Sequence, residues 1–250
     1  MEKLTGMNLL EEVMAFPSTR TREFKRSHPR VSSIGNCELY QVAVCQGVIE
    51  PTPFHAFYSR MGIQVQHLVA DDFRERGCTV YEDLDSKPLS VWTGLVDEEG
   101  HRLLCHPDLW LKTPSGETAG VQVKSCDQTA LDKMEKPRKS AVDQARSEWA
   151  FWVRYGAEYE GQKVEAPQRY FVLCASRESA ALNQKSFEID WSVNKARVLV
   201  QRFYGIEAHR KAGTLPSRPF SRPTMECHWS AGSRGEHWCP RYSACWGDNR

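Results

Sequence analysis

Cysteines at opposite ends of the chain constrain its fold most: Cys37 stands near the start, while Cys227, Cys239 and Cys245 follow one another near the end. Thiols so distant in sequence meet only in a folded state, and the pattern reads as one soft-metal site that ties the two ends together. A chain of 250 residues buries enough surface to stand without staples, so such a crosslink points to a local or functional need. The tail after Gly213 is rich in Pro, Ser, Arg and Gly and shows no periodicity, a composition that needs a metal to order it. By the loop-closure argument made for disulfides, joining Cys37 to Cys245 removes chain entropy worth on the order of 5 kcal/mol.

Nine cysteines cannot all pair. No segment reaches the ~18 apolar residues of a membrane span, and residues 1–15 mix Glu2, Lys3, Glu11 and Glu12 among apolar ones, unlike a secretory signal. The expected compartment is the cytoplasm, where thiols stay reduced and serve as ligands or as small buried apolar groups. Cys45, Cys78, Cys105, Cys126 and Cys174 read as the latter, with Cys45 as a substitute ligand. The net charge of +1 excludes a histone-like polycation, yet cations cluster: Arg20, Arg22, Lys25, Arg26 and Arg30, then Lys133, Lys136, Arg138 and Lys139, then Arg210, Lys211, Arg218 and Arg222. Such patches either hold a phosphate backbone or form solvated surface.

Three parts are expected: a helical then irregular segment over 1–30, a body over 31–212 and a cysteine-rich tail over 213–250. Pro29 precedes a capped helix running to Val44 and carrying Cys37. Met61, Val65, Leu68, Val69 and Phe73 lie at helical spacing over 60–76, with Gly77 as the stop and His67 aboard. The period then changes, and 78–81, 91–96, 102–111 and 119–125 read as strands. A helix over 140–155 carries Val142, Ala145, Trp149 and Trp152; strands follow over 170–175 and 187–189, and a helix over 191–211. This order predicts an α/β fold with a mixed central sheet flanked by helices.

Alternation in the 102–111 strand puts Leu104, His106, Asp108 and Trp110 on one face, and in the 119–125 strand puts Gln122 and Lys124 opposite Val121 and Val123. A lysine in an otherwise buried strand needs a partner, and Asp108 lies across a hairpin from it. Asp108, the Gln122 side-chain oxygen and the Val123 carbonyl offer hard oxygen ligands for Mg²⁺ or Mn²⁺, leaving Lys124 to steady a water or a phosphate. The plainer reading is an Asp-Lys ion pair between adjacent strands.

Cys105-His106-Pro107-Asp108, followed after thirteen residues by Gln122-Val123-Lys124, resembles the D…(D/E)xK motif of the PD-(D/E)xK nuclease superfamily. Gly62 to His67 resembles the helix-borne histidine of its RecB-like exonuclease branch, which implies a metal ligand at His67. Gln144, followed by Trp149 and Trp152, is similar to that branch's glutamine motif, which implies a catalytic role. The four cysteines resemble those of its iron-sulfur members, which include CRISPR-associated adaptation nucleases and AddB-type subunits; this implies a 4Fe-4S cluster on Cys37, Cys227, Cys239 and Cys245. The resemblance implies a restriction-endonuclease-like core with the cysteine-rich tail packed on the N-terminal helix.

Two departures stand out. The family carries Glu or Asp where this chain has Gln122, so the site loses a negative charge. The tail puts eleven residues between Cys227 and Cys239, where the family's first two tail cysteines are separated by two. His228 and His237 keep zinc open as the alternative metal. Cys37 at the far end, the Cys239-Pro240 step and the aromatic residues Tyr242 and Trp246 favour iron.

The implied activity is a metal-dependent DNA exonuclease acting on single strands or ends, in repair, recombination or CRISPR adaptation, with helicase or adaptation proteins as partners. The rivals are a nuclease-fold subunit that binds DNA or a partner with a weakened site, and a zinc-stabilised interaction protein.

Overall fold

The computed structural model describes residues 28–35, 37–46, 53–82, 88–178 and 183–217. A 3-10 turn at Val31–Ser33 precedes α1 (Glu38–Cys45) and the long α2 (Pro53–Glu75). Strands β1 (Thr79–Glu82), β2 (Ser90–Val96), β3 (Arg102–Cys105), β4 (Leu109–Lys112) and β5 (Thr118–Cys126) come next. Then follow α3 (Gln128–Asp132), α4 (Lys139–Tyr155), β6 (Ala157–Tyr159), β7 (Gln162–Val164), β8 (Arg169–Ser176), β9 (Gln184–Glu188) and α5 (Val193–Lys211). The order β1-β4-β5-β8-β9 makes a five-stranded sheet, parallel only at β5-β8, and β3-β2-β6-β7 makes an antiparallel sheet beside it. This is the mixed central sheet flanked by helices that the element order predicts.

The long helices α2 and α4 bury most of the face their spacing defines, though Leu68 of α2 is 50% exposed. Val65, Val69 and Ala70 of α2 pack on Val121 and Val123 of β5 and on Leu109, Leu111 and Leu173. Ala141, Ala145 and Trp149 of α4 cover the other side of the sheet at Tyr170, Val172 and Cys174. Full burial of each large apolar side chain contributes about 1.5–3 kcal/mol, so β5 is held between two helices. Gly77, at φ +82°, ends α2 with its own amide on the Arg74 carbonyl and the Cys78 amide on the Phe73 carbonyl. That geometry suits glycine because no Cβ crowds the left-handed turn.

The 102–111 segment departs from expectation. It forms two strands in different sheets, β3 on β2 and β4 between β1 and β5, with His106, Pro107 and Asp108 as the crossing. Pro107 has no N–H to donate to a ladder, so pairing stops there. The expected common face of Leu104 and Trp110 is accordingly lost: Leu104 is 45% exposed and Trp110 4%. Cys37 also lies just before α1 rather than on it, its carbonyl accepting the Gln41 amide at 3.1 Å. Cys105 and Cys174 are buried as expected, whereas Cys45, Cys78 and Cys126 are only partly so. Short elements escaped the sequence reading: α3, β6 and β7 carry too few residues to show a period. Cys227, Cys239, Cys245, His228 and His237 lie outside the described residues, as does the proposed packing of the tail.

Gly120 of β5 faces Tyr170 of β8, whose ring occupies the space a Cβ would take. Tyr170 is wholly buried and cannot swing into solvent. Gly120→Ala is expected to destabilise the protein by about 1–3 kcal/mol through overpacking, as read from the midpoint of urea unfolding. An unchanged midpoint would show that the ring has room to move.

Candidate active site

Asp108 sits at the end of β4, one step beyond the last backbone pair Leu109↔Val121. There its side chain continues what the strand cannot: Asp108 Oδ2 accepts the Val123 amide at 2.7 Å and a hydrogen from Gln122 Nε2. The carboxylate is thus pinned to β5 at the residue pair between Val121 and Lys124.

On the α4 side of β5, Gln122 (1% exposed) and Lys124 meet Gln144. Every polar atom of Gln144 is used. Its Oε1 accepts from Lys124 Nζ at 2.9 Å, and its Nε2 donates to Gln122 Oε1 at 2.9 Å and to Glu148 Oε1 at 2.8 Å. The other oxygen of Glu148 accepts from the Tyr170 hydroxyl at 2.8 Å. Donor and acceptor chemistry sets both amide orientations, because Lys124 can only donate. A single hydrogen-bond chain therefore runs from Asp108 through Gln122 and Gln144, branching there to Lys124 and to Glu148.

The helix-borne histidine is placed differently from its neighbour in sequence. Gln66, not His67, reaches the Asp108 backbone, donating from Nε2 to the carbonyl at 3.0 Å. His67 Nδ1 lies 2.8 Å from Glu82 Oε2, and Arg74 donates to the other oxygen of that buried carboxylate. Glu82 pairs with Leu109 across β1-β4, so this second network adjoins the residue after Asp108. With Nδ1–H on Glu82, the lone pair of His67 is on Nε2, the arrangement that orients a ligating imidazole. His106 turns away from the chain of hydrogen bonds, its Nδ1 3.2 Å from the Leu89 carbonyl.

Burial raises the Glu148 carboxyl from its ordinary value of 4.5 to about 8, and the nearby Asp108 charge adds to the rise while Lys124 opposes it. The Tyr170 hydroxyl is pushed well above its usual range, by burial first and then by Glu148. For a divalent cation, Asp108 offers a carboxylate and Val123 a carbonyl, hard oxygens that fit Mg²⁺ or Mn²⁺; Gln122 turns its nitrogen to Asp108 and its oxygen to Gln144, so its oxygen would join them only with the amide turned over. The fit is one charge poorer than a pair of carboxylates would make it.

Elsewhere among the described residues, His28, Glu98 and Glu207 bring three ligand atoms together. Arg210 already occupies that place: it donates to both Glu207 oxygens, at 2.7 and 2.8 Å, and to Glu98. A cavity of about 500 Å³ opens on the second sheet, lined in part by Trp92, Arg102, Tyr155, Glu158 and Lys163, and none of Asp108, Gln122, Lys124 or Gln144 borders it. No described helix is long and apolar enough to cross a membrane.

Sequence reasoning missed Glu148, Gln66, Glu82 and Tyr170. Glu148 had a signal, since it stands four residues after Gln144 on one helix face. Tyr170 had none, because its place opposite Gly120 follows from the parallel register.

No family model and no curated protein matches the chain. Among solved structures, an alkaline exonuclease (LHK-Exo) from Laribacter hongkongensis is similar at 14% identity and a TM-score of 0.47, over 77% of this chain and 95% of that one. A protein named SSO0001 is similar at 10% identity and a TM-score of 0.42, over 84% of each chain. Likeness at this level leaves the chemistry to be argued from the site's own atoms.

Proposed function

We propose that the chain is a metal-dependent DNA exonuclease that hydrolyses phosphodiester bonds on single strands or DNA ends. The observation that supports this most is the hydrogen-bond chain that holds an aspartate, an amide and an ammonium together between β4, β5 and α4. Asp108, Gln122 and the Val123 carbonyl would hold Mg²⁺ or Mn²⁺, with His67 as a further ligand that favours Mn²⁺. The bound ion supplies Lewis-acid polarisation of the phosphoryl group and an acidified water. Lys124, steadied by Gln144, orients the nucleophile and offsets charge that develops on the phosphate. Lys133, Lys136, Arg138 and Lys139 are exposed on the approach to α4, where they suit a phosphate backbone.

The test is incubation with end-labelled single-stranded DNA in Mn²⁺, with and without a chelator. Release of labelled products that stops on chelation is expected. Binding without cutting at any Mn²⁺ concentration would favour the rival, a nuclease-fold subunit that holds DNA or a protein partner. Gln122 is that rival's support, since its amide nitrogen faces Asp108.

Cys37, Cys227, Cys239 and Cys245 are proposed to carry a 4Fe-4S cluster with a structural role. Anaerobically purified protein is then expected to absorb in the visible and to contain iron; colourless protein with stoichiometric zinc would replace the cluster by a zinc site. Repair, recombination or CRISPR adaptation, beside a helicase or adaptation proteins, is the setting such an activity suits.

A further inference from the structure

We propose that Glu148 carries the second negative charge of this site, standing on α4 in place of a carboxylate at position 122, and acts through Gln144 as a positioning residue. The inference rests on the reading of Asp108 and Gln122 as a divalent-cation centre.

The position is one where an apolar side chain would be ordinary. Ala141, Ala145 and Trp149 of the same helix enter an apolar cluster, yet Glu148, 1% exposed, brings a carboxyl group into the interior. An acid so buried is costly unless each oxygen has a donor, and here each has one. One of those donors is Gln144 Nε2, the same nitrogen that donates to Gln122 Oε1. Glu148 is therefore one side chain removed from the amide that stands where a second acid is wanted. It also helps set the Gln144 amide. Glu148 Oε1 accepts from the Gln144 nitrogen while Lys124, which can only donate, holds Gln144 Oε1, so the amide has one orientation.

Charge counting leads to the same residue. Asp108 and Lys124 cancel and Gln122 is neutral, so the three motif side chains present no net attraction to a dication. In the metal-free fold Glu148 keeps its proton to about 8; when a dication binds and draws that proton off, the carboxylate restores one negative charge to the group, the same total that a carboxylate at 122 would give. Hydrogen bonds polarised in series through Gln144 carry that charge toward Gln122.

The experiment is Mn²⁺ binding by calorimetry to the full chain, with four variants: Asp108→Ala, Glu148→Gln, Gln122→Glu and the exchange variant Gln122→Glu/Glu148→Gln. Glu148→Gln is expected to weaken Mn²⁺ binding about ten-fold or more, and the exchange variant to recover it to within about three-fold of the wild type. Cleavage of single-stranded DNA should follow the same order. Unchanged binding in Glu148→Gln overturns the inference, as does an exchange variant as weak as Glu148→Gln. A purely structural acid would not be rescued from position 122. Should Glu148→Gln fail to fold, the exchange variant decides alone: near-wild-type binding supports the inference and lost binding overturns it. Asp108→Ala separates the two levels, because retained Mn²⁺ binding there removes the cation centre itself, whereas lost binding there with full binding in Glu148→Gln removes only the role of Glu148.

Discussion

Asp108→Asn and Lys124→Ala should each lower DNA cleavage by about a hundred- to a thousand-fold or more, the range seen when one group that stabilises developing charge is removed. The asparagine is chosen for a structural reason. Asp108 Oδ2 accepts the Val123 amide at 2.7 Å, so an alanine there would orphan a buried backbone N–H and cost about 1–3 kcal/mol in addition to any catalytic loss. Asparagine keeps an acceptor oxygen for that amide and removes the charge, which isolates the electrostatic role. For Lys124, the removed ammonium leaves Gln144 Oε1 without its donor at 2.9 Å, while Gln144 Nε2 keeps both acceptors. The network should therefore survive in both variants. Unfolding midpoints and single-turnover cleavage in Mn²⁺, measured together, check this. Two folded variants that cut at the wild-type rate would remove Asp108 and Lys124 from the chemistry.

Glu148→Gln is expected to stabilise the metal-free protein, and by an amount that grows with pH. In the unfolded chain this carboxyl loses its proton near its ordinary value of 4.5, whereas in the folded protein burial keeps the proton on to about 8. Between those values unfolding releases a proton, so stability falls as pH rises through that window and levels off above it. Glutamine has no such proton to lose. The two proteins should therefore be near equal in this respect at pH 4, and the variant should be ahead by on the order of 3–5 kcal/mol at pH 8, because a tenfold change in proton affinity is worth about 1.4 kcal/mol. Urea unfolding at a series of pH values reads this directly. Parallel curves for the two proteins would mean that Glu148 is ionised in the fold at neutral pH. Together with weaker Mn²⁺ binding, the expected gain would make position 148 a place where stability is given up for function.

Elements with a long period were legible. Val65 and Val69 of α2, and Ala145, Trp149 and Trp152 of α4, are buried as their spacing predicts, whereas Leu68, on the same reading of α2, is 50% exposed and Ala70 takes its place in the core. The division of β5 into an apolar face at Val121 and Val123 and a polar face at Gln122 and Lys124 also follows from a period of two. The strand 102–111 misled because alternation continued across Pro107, where the backbone lacks a donor and changes sheets. The proline was the signal, and the alternation outweighed it.

Side-chain chemistry and spacing in the chain marked Asp108, Gln122, Lys124 and Gln144 as the residues to watch, because a buried strand tolerates polar groups only when they answer one another. Which group answers which was settled by how helices sit on the sheet. The azimuth of α2 gives Gln66 to the Asp108 carbonyl and His67 to Glu82, one residue and a third of a turn apart. The packing of α4 over β5 and β8 delivers Glu148 beside Gln144 and under Tyr170. A helical period defines a face some three residues wide, but hydrogen bonds choose partners within a fraction of that width, so only the packed helices could make the choice.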